Sequence, residues 1–297
     1  MKKTCLTILF SFTMLTVAWG QVLYEISGNG LKNKSYIFGE CKWVPTSFLD
    51  SVPELIKAYG HCEQIAVECF MNNVDVADDL RRAALLPDSA KYEDMLSHDE
   101  YQIVNQALLN RLHLGLEQLG RMNPAAISDL FLSALYKEEL GYDEQRSMEN
   151  FFTFIAIEQG HDIISLDDTQ QTIQQLFHRE PLYYQVKELY NMVVYNEREV
   201  ETVKSLISAY RKGELAYMSY IIRGPENKSS MSFSDYQAWS SRWTRWVKTL
   251  GEILGQRSTF VVLDARYLGS DKGFLQALRA AGYKVKAVKV IKPAARI

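Results

Sequence analysis

Strand-like patterning in this chain is confined to its two ends, and the long stretch between them is patterned as helix. Residues 22–70 give a strand, a Gly28-Asn29-Gly30 turn, a second strand, a helix near 51–59 and a third strand. Asn-Gly between alternating apolar runs is a strong hairpin signal, so the first two strands are expected to be antiparallel neighbours. At the other end, 259–263 and 283–290 are strand-like around a helix near 272–281, with Gly282 where a helix-ending residue belongs. Between these lie amphipathic stretches. Val200, Val203, Leu206, Ile207 and Tyr210 form one stripe, closed by Lys212-Gly213. Ser234 can cap a further helix whose stripe is Trp239, Trp243, Trp246, Val247, Leu250, Ile253 and Leu254. Strands must pair, and with only helix between the two groups the economical solution is an α/β (α+β) fold. Residues 21–73 and 256–297 then build one mixed central sheet, and 74–255 form a large helical region of the same domain. With 47% hydrophobic residues the chain has the means to bury such a core.

The first twenty residues stand apart. Lys2 and Lys3 precede an apolar run over 5–17, and Ala18-Trp19-Gly20 supplies small residues where a signal peptidase cuts. The run is short for a membrane span of about 20 residues. An export signal over residues 1–20 is expected, with the mature chain starting at Gln21 in a periplasmic or extracellular setting. Loss of Lys2 and Lys3 leaves 31 basic against 36 acidic residues, a net charge of −5 on 277 residues. No later stretch is apolar enough to span a membrane, and a pI near 6.0 without a Lys/Arg block excludes a nucleic-acid partner. Three cysteines remain, Cys41, Cys62 and Cys69, so at most one disulfide forms within the chain. Were the strands before Cys41 and Cys69 parallel neighbours, both thiols would share one sheet edge. A Cys41–Cys69 disulfide is the resulting expectation.

Ligands of open α/β sheets bind outside the carboxyl ends of the strands. Those ends carry Glu40, Glu68 and Asp264, the thiols of Cys41 and Cys69, and nearby Lys42, Arg266 and Tyr267. Carboxylates and thiolates suit a divalent cation, but no imidazole accompanies them: His61 lies at the opposite end of its strand, and His98, His113, His161 and His178 lie in the helical region without i, i+4 pairing. No nucleophile elbow, phosphate-binding loop or dinucleotide fingerprint is present. Gly269-Ser270-Asp271-Lys272-Gly273 opens a helix after a strand, where a flexible loop capped by Ser270 or Asp271 is the plainer reading than an anion site.

These segments together resemble a known family. The run Leu23-Tyr24-Glu25-Ile26-Ser27-Gly28-Asn29-Gly30-Leu31-Lys32-Asn33-Lys34-Ser35-Tyr36-Ile37-Phe38-Gly39 closely resembles the opening of TraB/GumN-family proteins, the group that includes the Tiki proteases. In order along the chain, Ala66-Val67-Glu68, Asn123-Pro124-Ala125, Gly141-Tyr142-Asp143, Ser165-Leu166-Asp167-Asp168 and Tyr210-Arg211-Lys212-Gly213-Glu214-Leu215 resemble further family segments, as do residues 260–285. The resemblance implies a divalent-metal-dependent hydrolase, with a metal such as Mn or Co held by two Gly-x-x-His motifs and a glutamate. Here the first motif is Gly39-Glu40-Cys41-Lys42 and the second Asp264-Ala265-Arg266-Tyr267, so Lys42 and Tyr267 occupy the histidine positions and Asp264 a glycine position. Glu68 is retained, and of a late-helix Arg-Asn pair Arg242-Trp243 keeps the arginine. An ammonium in place of an imidazole repels a cation, so no metal is expected.

Two functions follow. One is a pseudoenzyme that binds a peptide or small molecule, or serves as a scaffold, through Cys41, Asp264 and Arg266. The other is an altered hydrolase or peptidase in which Glu68 and Glu40 move protons while Lys42, Tyr267 or Arg242 stabilise negative charge. A neighbouring ammonium is expected to lower the Glu68 pKa and weaken it as a base. A Cys41 nucleophile activated by Lys42 ranks last, for want of an adjacent histidine.

Overall fold

The computed structural model describes residues 21–70, 74–223, 233–269 and 273–289. The expected leader, residues 270–272 of the glycine-flanked loop and the end of the last expected strand lie outside the described residues, as does the side chain of Trp239.

The N-terminal apolar runs form β1 (Leu23–Gly28) and β2 (Ser35–Glu40), paired antiparallel with Ile26 opposite Ser35. The turn begins where expected, with Gly28, Asn29 and Gly30 all at positive φ and the Leu31 N–H donating to the Gly28 carbonyl. Pairing resumes only at Ser35, so the connection is longer than a two-residue hairpin. After the Pro53–Gly60 helix comes β3 (Gln64–Val67), every residue of it buried. From the far end of the chain come β5 (Thr259–Asp264) and β6 (Tyr283–Ala287).

One six-stranded mixed sheet results, in the order β4-β3-β5-β2-β1-β6. The strands β4, β3, β5 and β2 run parallel, and β1 lies antiparallel to both β2 and β6. The position of β5 follows from its sequence: Thr-Phe-Val-Val-Leu is buried at every residue, which suits a central strand covered on both faces. At the edge, β6 alternates buried Tyr283 and Val285 with exposed Lys284 and Lys286, the composition of a strand with one wet side.

Two sequence expectations need correction. The strand β4 (Asp162–Ser165) lies inside the region assigned to helix. It has four residues, two of them isoleucine, and follows directly on a helix that ends at Gly160 in the left-handed region, so its short apolar run is indistinguishable from helical neighbours by period. The Cys41–Cys69 disulfide is also absent: Cys41, Cys62 and Cys69 are free thiols. The strands preceding Cys41 and Cys69 are parallel, but β5 lies between them. Two interstrand steps of about 4.8 Å put the thiols at roughly twice that separation, beyond the Cα span a disulfide accepts.

The helices bury the expected stripes. Asn196–Lys212 turns Val200, Val203, Leu206, Ala209 and Tyr210 inward and ends at Gly213, with φ of 71°. Phe233–Leu254 buries Trp243, Trp246, Leu250 and Leu254; it starts at Phe233, so Ser234 lies within its first turn rather than capping it. Phe274–Ala280 starts two residues later than expected. Buried apolar side chains form two clusters, one around the sheet and one within the helical region, and Trp43 and Ile207 pack against both. Among the described residues no helix is long and apolar enough to cross a membrane.

Close backbone packing sets the shape of the loop after β5. A Cβ on Gly269 would stand 2.1 Å from the Leu215 carbonyl carbon and oxygen, so this loop touches the start of the Leu215–Arg223 helix directly. Gly269→Ala is therefore expected to cost about 1–3 kcal/mol or more in urea unfolding. Gly255→Ala, where an added methyl group meets nothing, is expected to be neutral or slightly stabilising.

Candidate functional site

The carboxyl ends of the four parallel strands gather the ionisable residues. Glu40 and Asp264 close β2 and β5 as register partners, so their side chains project from adjacent strands toward the same face. Glu68 follows β3 directly, and its backbone carbonyl accepts the Asp167 N–H at 2.9 Å, extending the β3–β4 pairing by two residues. Glu149 arrives from the first turn of the Met148–Gln159 helix, and its N–H donates to Glu40 Oε2 at 3.0 Å. Gly39 lets β2 approach the segment after β5: a Cβ there would lie 2.6 Å from Leu268 Cδ1 and 3.1 Å from Ala265 Cα. Tyr210 fixes the same strand end by donating its hydroxyl to the Gly39 carbonyl at 2.9 Å.

Arg242 enters this group from the Phe233–Leu254 helix. Its Nη2 donates to Glu68 Oε2 at 2.8 Å, its Nε to Asp167 Oδ2 at 2.6 Å and its Nη1 to the Tyr267 hydroxyl at 3.0 Å. The guanidinium carbon stands 4.2 Å from the Trp246 ring centroid. The other Glu68 oxygen accepts the Asp264 N–H at 3.1 Å. Asp264 in turn takes the Arg266 N–H on Oδ1 and the Arg266 Nε and Nη2 on Oδ2, at 2.8, 2.7 and 2.6 Å. Arg266 also lies over the Trp43 ring, 5.4 Å from its centroid.

The sequence candidates thus separate. Glu40, Glu68, Asp264, Arg242, Arg266 and Tyr267 converge. Lys42 is half-buried with its ammonium over the Trp43 ring, and its charge acts on Glu40 rather than on Glu68. Cys41 is 1% exposed, and burial pushes its thiol pKa up, leaving it neutral and unreactive instead of activated by Lys42. Asp167, Glu149 and Trp246 join this group without a sequence pattern that marks them as site residues. Asp167 lies in Ser165-Leu166-Asp167-Asp168, but with β4 unrecognised nothing marked it as another strand end. Glu149 has the form of an ordinary acidic residue in the first turn of a helix.

Burial governs the acids. Desolvation pushes Glu40 up to about 7, against the help of the Glu149 N–H and with added repulsion from Asp264 and Glu68. Burial raises Glu149 well above the glutamate range, and Glu40, Glu68 and Asp264 raise it further. Glu68 is raised as well, by burial first, with Arg242 opposing; the lowering expected beside Lys42 is thus reversed, because the carboxylate loses more water than the guanidinium returns. Tyr267 is pushed up to about 12, mainly by burial and then by Glu68.

The donor set does not suit a divalent metal. Both Glu68 oxygens and both Asp264 oxygens already accept protein N–H groups, three of the bonds coming from the guanidinium groups of Arg242 and Arg266. A metal ion would need those lone pairs and would stand against two guanidinium charges. Among the described residues no three His, Cys, Asp or Glu side chains gather as a metal-holding group.

The sequence matches the TraB/PrgY/gumN family over residues 22–287. The chain belongs to that family. No curated protein and no solved structure matches it. For this TraB/PrgY/gumN-family chain the match runs from the residue before β1 to the last residue of β6, and so includes every strand end that carries the site.

A carboxyl group whose folded pKa lies above its ordinary value stabilises the fold in its protonated form. For Glu40 that contribution is complete below about 4.5 and is lost as pH rises through about 7. Glu149, raised by burial as well, acts in the same direction. Stability from urea unfolding is expected to fall between pH 4.5 and 7, and Glu40→Gln to flatten that decline. Parallel profiles for wild type and Glu40→Gln would show that Glu40 is ionised in the fold.

Proposed function

We propose that this TraB/PrgY/gumN-family chain is an exported pseudoenzyme that no longer performs the metal-dependent hydrolysis its resemblance implies, and that the strand-end site binds a peptide or small molecule. The observation carrying this reading is the pairing of Glu68, the one residue retained from the implied glutamate and two histidines, with Arg242. One of its oxygens accepts from the guanidinium and the other accepts the Asp264 N–H, so the carboxylate has an internal counter-charge and a protein donor on each oxygen. Lys42 and Tyr267 at the histidine positions, and Arg266 closed upon Asp264, support the same reading. The export assignment rests on the pattern of residues 1–20.

One observation favours the second reading, an altered hydrolase. Glu40 has its pKa at about 7, where a general acid or base works best at neutral pH, and Tyr267 stands beside Arg242 as a group able to face developing negative charge. Glu68 is the weaker candidate there, being paired with Arg242.

Calorimetric titration with Mn, Co and Zn ions is expected to show no stoichiometric tight binding; binding abolished by Glu68→Ala would overturn the pseudoenzyme reading. On a panel of peptides and esters, wild type, Glu68→Ala and Glu40→Gln are expected to share one background rate. A wild-type rate that falls about a hundredfold in Glu40→Gln establishes the second reading instead.

A further inference from the structure

Asp167 is 1% exposed, and a carboxylate so buried destabilises the fold unless its charge and lone pairs are matched. Its two oxygens divide the task. Oδ2 takes the Arg242 Nε–H at 2.6 Å, while Oδ1 takes the Trp246 indole N–H at 2.9 Å, with Arg245 Nη2 at 3.4 Å from the same oxygen. Arg242 and Trp246 are four residues apart on one helix, so the stack of guanidinium on indole belongs to that helix and sets only the plane of the guanidinium. A stacked guanidinium still turns within its plane. A bond at Nε removes that freedom, because the five donors form a rigid fork. Asp167 supplies the bond from outside the helix, and its own backbone N–H is tied to the Glu68 carbonyl at 2.9 Å. The same short stretch of ladder thus sets the distance between Asp167 and Glu68, the two carboxylates that Arg242 spans.

We propose that Asp167 is the positioning residue of this site: through its bond to Arg242 Nε it aims the two outer nitrogens of the guanidinium at Glu68 and Tyr267. The Trp246 indole steers the carboxylate in turn, and the arginine is the internal cation of the strand-end cluster. This goes beyond the binding reading and does not depend on which ligand binds, so its failure and the failure of that reading are separate results.

The test is a nitrogen-15 NMR measurement of arginine side chains on the whole protein, with the Arg242 signal assigned by its loss in Arg242→Lys. In the wild type, Arg242 is expected to give a slowly exchanging Nε–H and separate signals for its two outer nitrogens, as hindered rotation requires. Averaged signals at the position of a solvated arginine would overturn the proposal without any substitution. In Asp167→Ala, which leaves no oxygen to receive the Arg242 Nε–H, the protected signal is expected to vanish, and the titration midpoint of Glu68, followed by carbon-13 carboxyl shifts, to rise by about one unit or more as the aimed cation is lost. Trp246→Phe keeps an aromatic face beside the guanidinium and removes the indole donor with its five-membered ring, and it is expected to retain the protected Nε–H. Persistence of that signal in Asp167→Ala shows that stacking alone sets the guanidinium, and its loss in Trp246→Phe shows that the indole ring sets it; either result overturns the proposal. Asp168→Asn, which alters only the cap of the Thr169–Phe177 helix, is expected to change neither readout. Should Asp167→Ala fail to fold, the wild-type and Trp246→Phe spectra decide.

Discussion

A single arginine bonds one helix to the ends of two neighbouring strands. Arg242 belongs to the Phe233–Leu254 helix, Glu68 to the end of β3 and Asp167 to the end of β4, and one nearly buried guanidinium is bonded to both acids. A charge in this position is tolerable only because it is fully matched, and the carboxylates are tolerable for the same reason. Balance extends outward: Arg266 answers Asp264, while Glu40 and Glu149, with no guanidinium paired to them among the described residues, hold their protons more tightly instead. The strand ends therefore accommodate an excess of acids in two ways, by pairing with arginine and by remaining neutral.

That division explains what the substituted motif positions do. Gly39 persists because β2 lies against the backbone of Ala265 and the side chain of Leu268, a packing need independent of any chemistry. Lys42 and Tyr267, at positions where the family resemblance implies histidine, are turned to other contacts, Lys42 over an indole and Tyr267 against Arg242 and the tryptophans of its helix. Asp264, at a position where the family resemblance implies glycine, brings a carboxylate that starts the turn after β5, accepts two bonds from the Arg266 guanidinium and offers its own N–H to Glu68.

Most of the frame was legible in the sequence because long periodic segments state their burial directly. The stripes on Asn196–Lys212 and Phe233–Leu254 and the apolar run of β5 are of this kind. The order of strands was not legible, since which parallel strand lies beside which depends on crossovers that no local pattern records; the expected Cys41–Cys69 bond failed on that point. The four residues of β4 were too short to show a period, and Asp167 was hidden with them. The identity of Glu40, Glu68, Asp264 and Arg242 as one group was legible because strand ends are where such sheets bind. The direction of the Glu68 shift was not, because it depends on how much water each group loses and on which cation is nearest.

The central place of β5 has a consequence for how this molecule comes into being. Glu40 and Glu68 are close in the chain but belong to strands that never touch each other, and the strand between them is nearly two hundred residues further on. Until residues 259–264 arrive, the N-terminal strands form two unconnected pieces with exposed edges, one ending in Glu40 and the other, once β4 has paired, in Glu68 and Asp167. Joining these two groups of acids is thus the same event as closure of contacts between sequence-distant strands, the kind that forms slowly because a long loop must first be ordered. A nascent chain of this design carries the site in two parts and unites them only when β5 is in place.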